Sequence, residues 1–136
     1  MSNSLELFGE LSLEDTDWLF AASEEESIAT GRCVIEEGSF PDSLFFVLKG
    51  EFGVRISARA DELVAKVRAG ELLGEMSFLH ESAASATVIA LEDSLLLRIP
   101  RLKLVGRIDS DSKFGARFYR AIALIVSRRL RELQER

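Results

Sequence analysis

The sequence of 136 residues contains one cysteine, one histidine and two prolines, and these scarcities exclude several classes of protein. With Cys33 alone the chain forms no internal disulfide, which is typical of a reducing cytoplasm. Cys33 and His80 together cannot supply the Cys/His cluster that most zinc sites use. No apolar run approaches the ~20 residues of a membrane-spanning helix, and the acidic start lacks a basic-then-apolar signal pattern. We therefore expect a cytoplasmic protein without a metal centre or membrane contact.

Positive charge is concentrated at one end of a chain whose net charge is −6. Residues 1–31 carry eight acidic groups and no Lys or Arg, whereas residues 98–136 carry eleven basic and four acidic groups. Such an end is either a nucleic-acid-binding arm or a set of cations that complement helix ends and pair with the acidic part. We favour the second interpretation, because the phosphate backbone repels an acidic molecule. Sequence-specific nucleic-acid binding is therefore not expected.

Short strands separated by turns are predicted in the middle of the chain, after an N-terminal helical segment over residues 1–22. Ser12 is the candidate N-cap of a helix over residues 11–22, which has acidic side chains in its first turns. Turn residues rich in Gly, Asp and Ser then separate seven candidate strands. These candidates are residues 27–30, 33–36, 44–49, 53–56, 63–67, 86–90 and 94–99.

The last part of the chain, residues 100–136, returns to helical patterns. Pro100 suits the first position of a short helix, and the Asp-Ser run at 109–112 offers N-caps for a long helix over about 112–134. The order of elements predicts a single domain over residues 1–136 that is mainly β with flanking α. Its fold is an antiparallel β-roll or jelly roll over residues 23–99, with an N-terminal helix and a short plus a long C-terminal helix.

The long helix carries an apolar stripe with 3-4-4-3 spacing. The stripe consists of Tyr119, Ile122, Val126, Leu130 and Leu133. It exceeds what one flank of a small roll needs, so we predict a homodimer through this helix. The cations beside that seam are expected to stay hydrated; they are Arg128, Arg129 and Arg131. The alternative, that the stripe packs onto the chain's own roll, remains open.

Residues 70–90, GELLGEMSFLHESAASATVIA, form the most informative segment. Gly74 marks a turn into one or two helical turns, and a loop of small residues leads back to a strand. A short helix start beside such a loop leaves backbone N–H groups free to meet an anion. Glu75 at that turn would accept hydrogen bonds from sugar hydroxyls. A tight corner with a solvated Glu75 is the alternative interpretation.

Together with residues 35–50, IEEGSFPDSLFFVLKG, this segment resembles a known family. The order of signals is similar to the cyclic-nucleotide-binding domain of catabolite-activator-type regulators, protein-kinase-A regulatory subunits and gated channels. Residues 35–50 resemble the first long hairpin of that family, with Gly38 and Gly50 at its turns. Residues 70–90 resemble its phosphate-binding cassette, called the cassette below. The resemblance extends over nearly the whole chain.

The resemblance implies a cyclic nucleotide as the ligand and assigns a role to each cassette position. Glu75 would bind the ribose 2′-hydroxyl, and the backbone amides of Gly74, Glu75 and Met76 would hold the ribose-phosphate. The family's cassette Arg, which pairs with the cyclic phosphate, corresponds to Ala84. The next position, which touches the phosphate, is Ser85.

The charged half of the implied site is therefore missing from the cassette. No Arg or Lys occurs between residues 71 and 97. An Arg from elsewhere would have to replace it, and the candidates are Arg68, Arg117 and Arg120. We accordingly expect weak or absent binding of cyclic AMP and cyclic GMP.

Catalytic patterns are absent from the sequence. His80-Glu81 begins like a metalloprotease motif, but position 84 is alanine, and there is no G-x-S-x-G. Cys33 is expected to be a buried small hydrophobe rather than a nucleophile. The sequence therefore predicts a non-catalytic ligand-sensing or regulatory domain. The alternative is a degenerate domain that binds no nucleotide and serves as a dimerisation or protein-docking module.

Overall fold

A computed structural model describes residues 4–60 and 62–135 of the chain. Residues 1–3 of the predicted N-terminal helical segment and the terminal Arg136 lie outside the described residues. Within the described part, the helices are Ser4–Glu10 (α1), Leu13–Ala22 (α2), Glu75–His80 (α3), Arg101–Ser110 (α4) and Ser112–Gln134 (α5). The strands are Glu24–Ile28 (β1), Cys33–Ile35 (β2), Ser43–Lys49 (β3), Glu51–Ile56 (β4), Glu62–Arg68 (β5), Leu72–Leu73 (β6), Thr87–Ala90 (β7) and Ser94–Pro100 (β8).

The strands form two antiparallel sheets of four strands each in the part of the chain described. One sheet has the order β1-β8-β3-β6 and the other the order β2-β7-β4-β5. Each sheet mixes strands that are distant in sequence, which is typical of a roll rather than of a simple meander. The predicted fold class, an antiparallel roll with flanking helices and a long C-terminal helix, is confirmed.

Strand β3 is buried on both of its faces and contributes side chains to two hydrophobic cores. Leu44 and Phe46 pack with the helices, while Phe45 and Val47 point between the two sheets. Alternate side chains of a strand point to opposite faces, so the apolar run in this strand serves two cores. One core lies between the sheets and the other between the first sheet and the helices. The second core includes Phe114, Phe118, Ala121, Ile122 and Ile125 of α5.

The N-terminal helices are fixed to α5 through an ion pair between the buried Asp15 and the partly exposed Arg117. Ser12 caps α2 and forms a reciprocal capping box with Asp15, as its position in the sequence predicts. The carboxylate of Asp15 also accepts hydrogen bonds from Arg117 Nε and Nη2 at 2.6 and 2.9 Å. Arg117 thus joins the first helices to the last one.

Several element boundaries differ from the sequence-based expectation. Strand β1 begins at Glu24 rather than at residue 27, because its glutamates pair across to β8, where Glu26 meets the guanidinium of Arg98 at 3.2 Å. Strand β6 has only two residues and was not predicted. Pro100 ends β8 instead of opening α4, since its ψ of 129° is extended.

Two side chains are placed differently from the prediction. Cys33 is exposed, not buried, because an irregularity in the β2–β7 register separates it from the buried Ile35 and breaks the alternation of the strand. Ile122 of the stripe is fully buried in its own chain and is therefore unavailable to a partner. The exposed stripe residues, Tyr119, Leu130 and Leu133, are 44%, 56% and 61% accessible.

Candidate functional site

The cassette turns a sharp corner at Gly74, between β6 and α3. Gly74 has φ +84° and precedes the first residue of the helix. This left-handed conformation suits glycine, because residues with a Cβ rarely adopt it. The corner places Glu75 in the first turn of α3, where it is 8% exposed. Glu75 therefore points inward rather than into solvent.

A cavity of about 330 Å³ opens beside this corner. It is bounded by β5, β6, the cassette and the C-terminal end of α5. All five predicted ligand-binding residues line it, namely Gly74, Glu75, Met76, Ala84 and Ser85. The structure thus brings together the residues that the sequence placed in one site, and their roles remain predictions. Apolar side chains form the cavity floor, among them Ile35, Val54, Val67, Leu72, Leu73 and Val88.

Position 84 is held firmly at the cavity wall. Ala84 is 8% exposed, and its backbone pairs with the β2–β3 connection. Gly38 N donates to Ala84 O at 2.8 Å, and Ala84 N donates to Ser39 O at 2.7 Å. The position therefore has a defined backbone, but its methyl group offers no charge to a ligand.

The carboxylate of Glu75 is bound by Arg129, which lies near the C-terminal end of α5. Arg129 Nη1 donates to Glu75 Oε1, and its Nη2 donates to the backbone carbonyl of Leu72 at 2.9 Å. The Glu71 carboxylate lies 3.7 Å from the same Nη2. Arg129 is therefore partly buried at the cavity wall. The sequence-based expectation that it stays hydrated beside a dimer seam is wrong.

Sequence reasoning missed Arg129 as a site residue, although its spacing carried a signal. Arg129 is three residues after Val126 and four before Leu133, so it lies on the stripe side of α5. That spacing could show which side of the helix the guanidinium occupies. It could not show that this side meets the cassette.

The three arginines proposed to replace the cassette cation lie elsewhere. Arg68 Nε pairs with Glu51 at 2.7 Å, Arg117 with Asp15, and Arg120 Nε with Glu10 at 2.9 Å. None of them lines the cavity. Among the described residues, the cations in the cavity wall are Lys66 and Arg129, and the acids are Glu71, Glu75 and Glu132.

The cavity is consequently rich in hydrogen-bond acceptors and poor in positive charge. Arg129 already donates to Glu75 and Leu72, and Lys66 Nζ lies 4.0 Å from a Glu51 carboxylate oxygen.

No group of three His, Cys, Asp or Glu side chains within residues 4–60 and 62–135 is arranged to hold a metal ion. Over the same residues, none of the helices is long and apolar enough to cross a membrane.

The structure is thus a two-sheet β-roll with a long C-terminal helix and a ligand-sized pocket beside the Gly74 corner. The family model described as "Cyclic nucleotide-binding domain" matches residues 25–111, and the chain belongs to that family. The family assignment made from residues 35–50 and 70–90 is therefore confirmed.

Individual relatives agree with this assignment. The "Cyclic AMP receptor protein" of Thermus thermophilus is 29% identical over 132 residues, which cover 93% of this chain and 57% of the relative. The crystal structure of the Thermus thermophilus catabolite activator protein matches with a TM-score of 0.78 and 27% identity, covering 95% of this chain and 60% of that one. A cyclic nucleotide-binding domain from Methylobacillus flagellatus KT, 22% identical, shares the fold with a TM-score of 0.84 and covers 95% of this chain and 79% of that one. The chain thus spans little more than half of the Thermus relative.

Proposed function

We propose that this domain is a non-catalytic ligand-sensing module that binds cyclic AMP and cyclic GMP weakly or not at all. The observation that carries the proposal is the cassette cavity itself. It retains the Gly74 corner and Glu75, yet position 84 presents a methyl group where the family resemblance implies a guanidinium. Membership in the family supports a regulatory role, and the cavity chemistry supports a changed ligand preference.

The missing cation matters because a cyclic phosphate loses its hydration on binding. An Arg compensates for that loss with charge-assisted hydrogen bonds, whereas Ala84 leaves only backbone amides and the Ser85 hydroxyl. Removing one partner of a buried charge pair costs about 2–5 kcal/mol. This corresponds to roughly 30-fold to several-thousand-fold in affinity.

Helix α5 is the element through which an occupied cavity would act. Arg129, Glu132 and Leu133 of α5 line the cavity together with the cassette. Any ligand that touches both walls changes the free energy of docking the end of α5 against the cassette. A partner bound to α5 would sense that change, because a ligand shifts a conformational equilibrium by its differential affinity for the two states.

Calorimetric titration with cyclic AMP and cyclic GMP tests the ligand preference. We expect little heat for the wild type and measurable binding for Ala84→Arg. Ala84→Gln is the matched control, because it adds bulk and donors without charge and should stay weak. Ala84→Arg/Glu75→Ala should lose the binding again. Sub-micromolar affinity in the wild type would contradict the proposal and would indicate that another cation serves the phosphate.

The second candidate is a dimerisation or protein-docking module with no nucleotide ligand. The contact between Arg129 and Glu75 favours it, since the carboxylate that the resemblance assigns to the ribose already has a partner within the chain. Native mass spectrometry of the purified protein separates the two functions. A retained small molecule supports ligand sensing, and an empty cavity that no tested compound fills supports docking.

A further inference from the structure

The guanidinium of Arg129 occupies a set of acceptors that faces the cavity. Glu75 Oε1 and the Leu72 carbonyl accept its hydrogen bonds, and the Glu71 carboxylate adds negative charge at 3.7 Å. Two of these three groups are anionic, whereas Glu132, which also lines the cavity, is ion-paired with Arg128. The acceptors therefore form a receptor for a cation with at least two N–H donors, and in this structure the chain fills it with its own side chain.

A ligand that takes the place of Arg129 must satisfy the same acceptors. An anion adds negative charge beside Glu75 and Glu71, even where one of its hydroxyls donates a hydrogen bond. A neutral ligand leaves a carboxylate that is 8% exposed without its cation. A cation with a donor fork restores both the charge and the hydrogen bonds, so it is the chemistry that this wall selects.

The cation alone is not sufficient to displace Arg129. A competitor tethered within the same chain acts at an effective concentration on the order of millimolar. The ligand must therefore gain affinity from a second contact that Arg129 does not make. The cavity floor supplies it, because Ile35, Val54, Val67 and Val88 line the same cavity as Arg129. An apolar body attached to the cationic head would fill the cavity in van der Waals contact with these side chains.

We propose that the cassette cavity binds an organic cation, an amidinium or guanidinium carried on an apolar body, and that Arg129 is the internal competitor that this ligand displaces. The inference rests on the proposed function, in that the cassette cavity is the ligand site. It replaces the anionic ligand implied by the family resemblance with a ligand of opposite charge. It also makes α5 docking and ligand binding mutually exclusive at Glu75.

Benzamidine is the probe, because it joins an amidinium to an apolar ring. We expect calorimetry to show weak binding to the wild type and about ten-fold or more tighter binding to Arg129→Ala, from which the tethered competitor has been removed. Arg131→Ala is the matched control, since it removes an exposed arginine from the same helix and should behave like the wild type. Arg129→Met retains the aliphatic stem and serves if the alanine variant is unstable.

Two further measurements assign the binding to charge and to Glu75. Benzamide has nearly the shape of benzamidine without its charge, so it should bind Arg129→Ala at least about ten-fold more weakly. Arg129→Ala/Glu75→Gln should lose most of the affinity for benzamidine. In the wild type, saturating benzamidine should increase hydrogen exchange in residues 126–135, because Arg129 no longer holds them to the cassette.

The inference is overturned if benzamidine binds the wild type and Arg129→Ala equally, if Arg129→Ala does not bind it, or if benzamide binds as well as benzamidine. Its failure can be separated from failure of the proposed function. If Ala84→Arg binds a cyclic nucleotide while Arg129→Ala ignores benzamidine, the cavity is a ligand site and only its cation preference is refuted. If neither variant binds its probe, both proposals fall.

Discussion

At the scale of single residues, the ionised carboxylate of Asp15 contributes to the free energy of unfolding. It is 1% exposed, and the hydrogen bonds from Arg117 lower its pKa from 3.8 to about 2, with further help from Ser12. A lowered folded-state pKa stabilises the protein above the pKa of the unfolded chain, and the contribution disappears as the pH falls toward 2. The shift corresponds to stabilisation on the order of 2 kcal/mol at neutral pH.

Asp15→Asn should therefore lower the free energy of unfolding at pH 7 by about that amount. The variant should also show a flatter loss of stability between about pH 5 and pH 2 than the wild type. Urea denaturation at a series of pH values measures both effects. Asp17→Asn removes an exposed acid from the same helix and is the control. An unchanged pH slope in Asp15→Asn would show that the pair with Arg117 does not carry this dependence.

Gly50 illustrates a second residue-scale constraint, at the turn between β3 and β4. Its φ is +102°, and an added Cβ would lie 2.0 Å from Ser94 Oγ and 2.8 Å from Ser94 Cα. Gly38 shares a positive φ of +87° but has open space around it. Gly50→Ala should destabilise the protein by about 1–3 kcal/mol more than Gly38→Ala, because only Gly50 adds a clash to the backbone strain. Equal losses in chemical denaturation would mean that Ser94 moves aside without cost.

At the scale of elements, the junction between α4 and α5 depends on one cap. Asp111 Oδ1 accepts a hydrogen bond from Phe114 N at 3.1 Å, which places the start of α5 over the helical core. Asp111→Ala should lower the free energy of unfolding by about 1 kcal/mol. Ser112→Ala, at the exposed neighbouring position, should have little effect. Thermal and urea unfolding of both variants test this, and a larger loss in Ser112→Ala would assign the cap to the serine.

The elements that the sequence predicted well are those with a local signal. Ser12 predicts the start of α2 as its N-cap, the Asp-Ser run at 109–112 predicts the start of α5, and glycines predict the turns between strands. The two-residue strand β6 has no such signal, since it exists only because Phe45 and Phe46 of β3 pair with Leu73 and Leu72. Three consecutive glutamates in β1 lack strand-like alternation, and pairing with β8 decides their conformation.

The same distinction separates the two halves of the candidate site. The cassette is contiguous, so the family resemblance of residues 70–90 was enough to locate Gly74, Glu75 and Ala84. Arg129 lies 54 residues from its partner Glu75, and no local pattern joins them. The long helix also carried an ambiguity that only packing resolves. Ile122 packs into the chain's own core, whereas Leu130 of the same stripe remains exposed.

At the scale of the whole molecule, the cavity is formed where two parts of the chain meet. The roll supplies the cassette and the apolar floor, and the end of α5 supplies the remaining wall. The early part of α5 is fixed by the core and by Asp15, while its last turns are held at the cassette by Arg129. The helix thus combines a half anchored in the core with a half that Arg129 holds at the cassette.

The exposed part of the stripe carries the remaining prediction, a homodimer through α5. Tyr119, Leu130 and Leu133 present apolar surface along one helix, and a helix face of this kind in a symmetric dimer meets its own copy. Leu130→Glu should therefore give a monomer, because it places a charge within the predicted contact. Ile122→Glu is unsuitable as a test, since it would disrupt the core rather than the interface.

Sedimentation equilibrium of the wild type and Leu130→Glu decides the matter. Leu102→Glu is the matched control, because Leu102 is an 85% exposed leucine on α4, outside the stripe. We expect a dimeric wild type, a dimeric Leu102→Glu and a monomeric Leu130→Glu with unchanged circular dichroism. A monomeric wild type, or a Leu130→Glu variant that still dimerises, would show that the exposed leucines of α5 do not mediate dimerisation. The stripe would then serve the core through Ile122 and the cavity through Leu133, with no role in joining two copies.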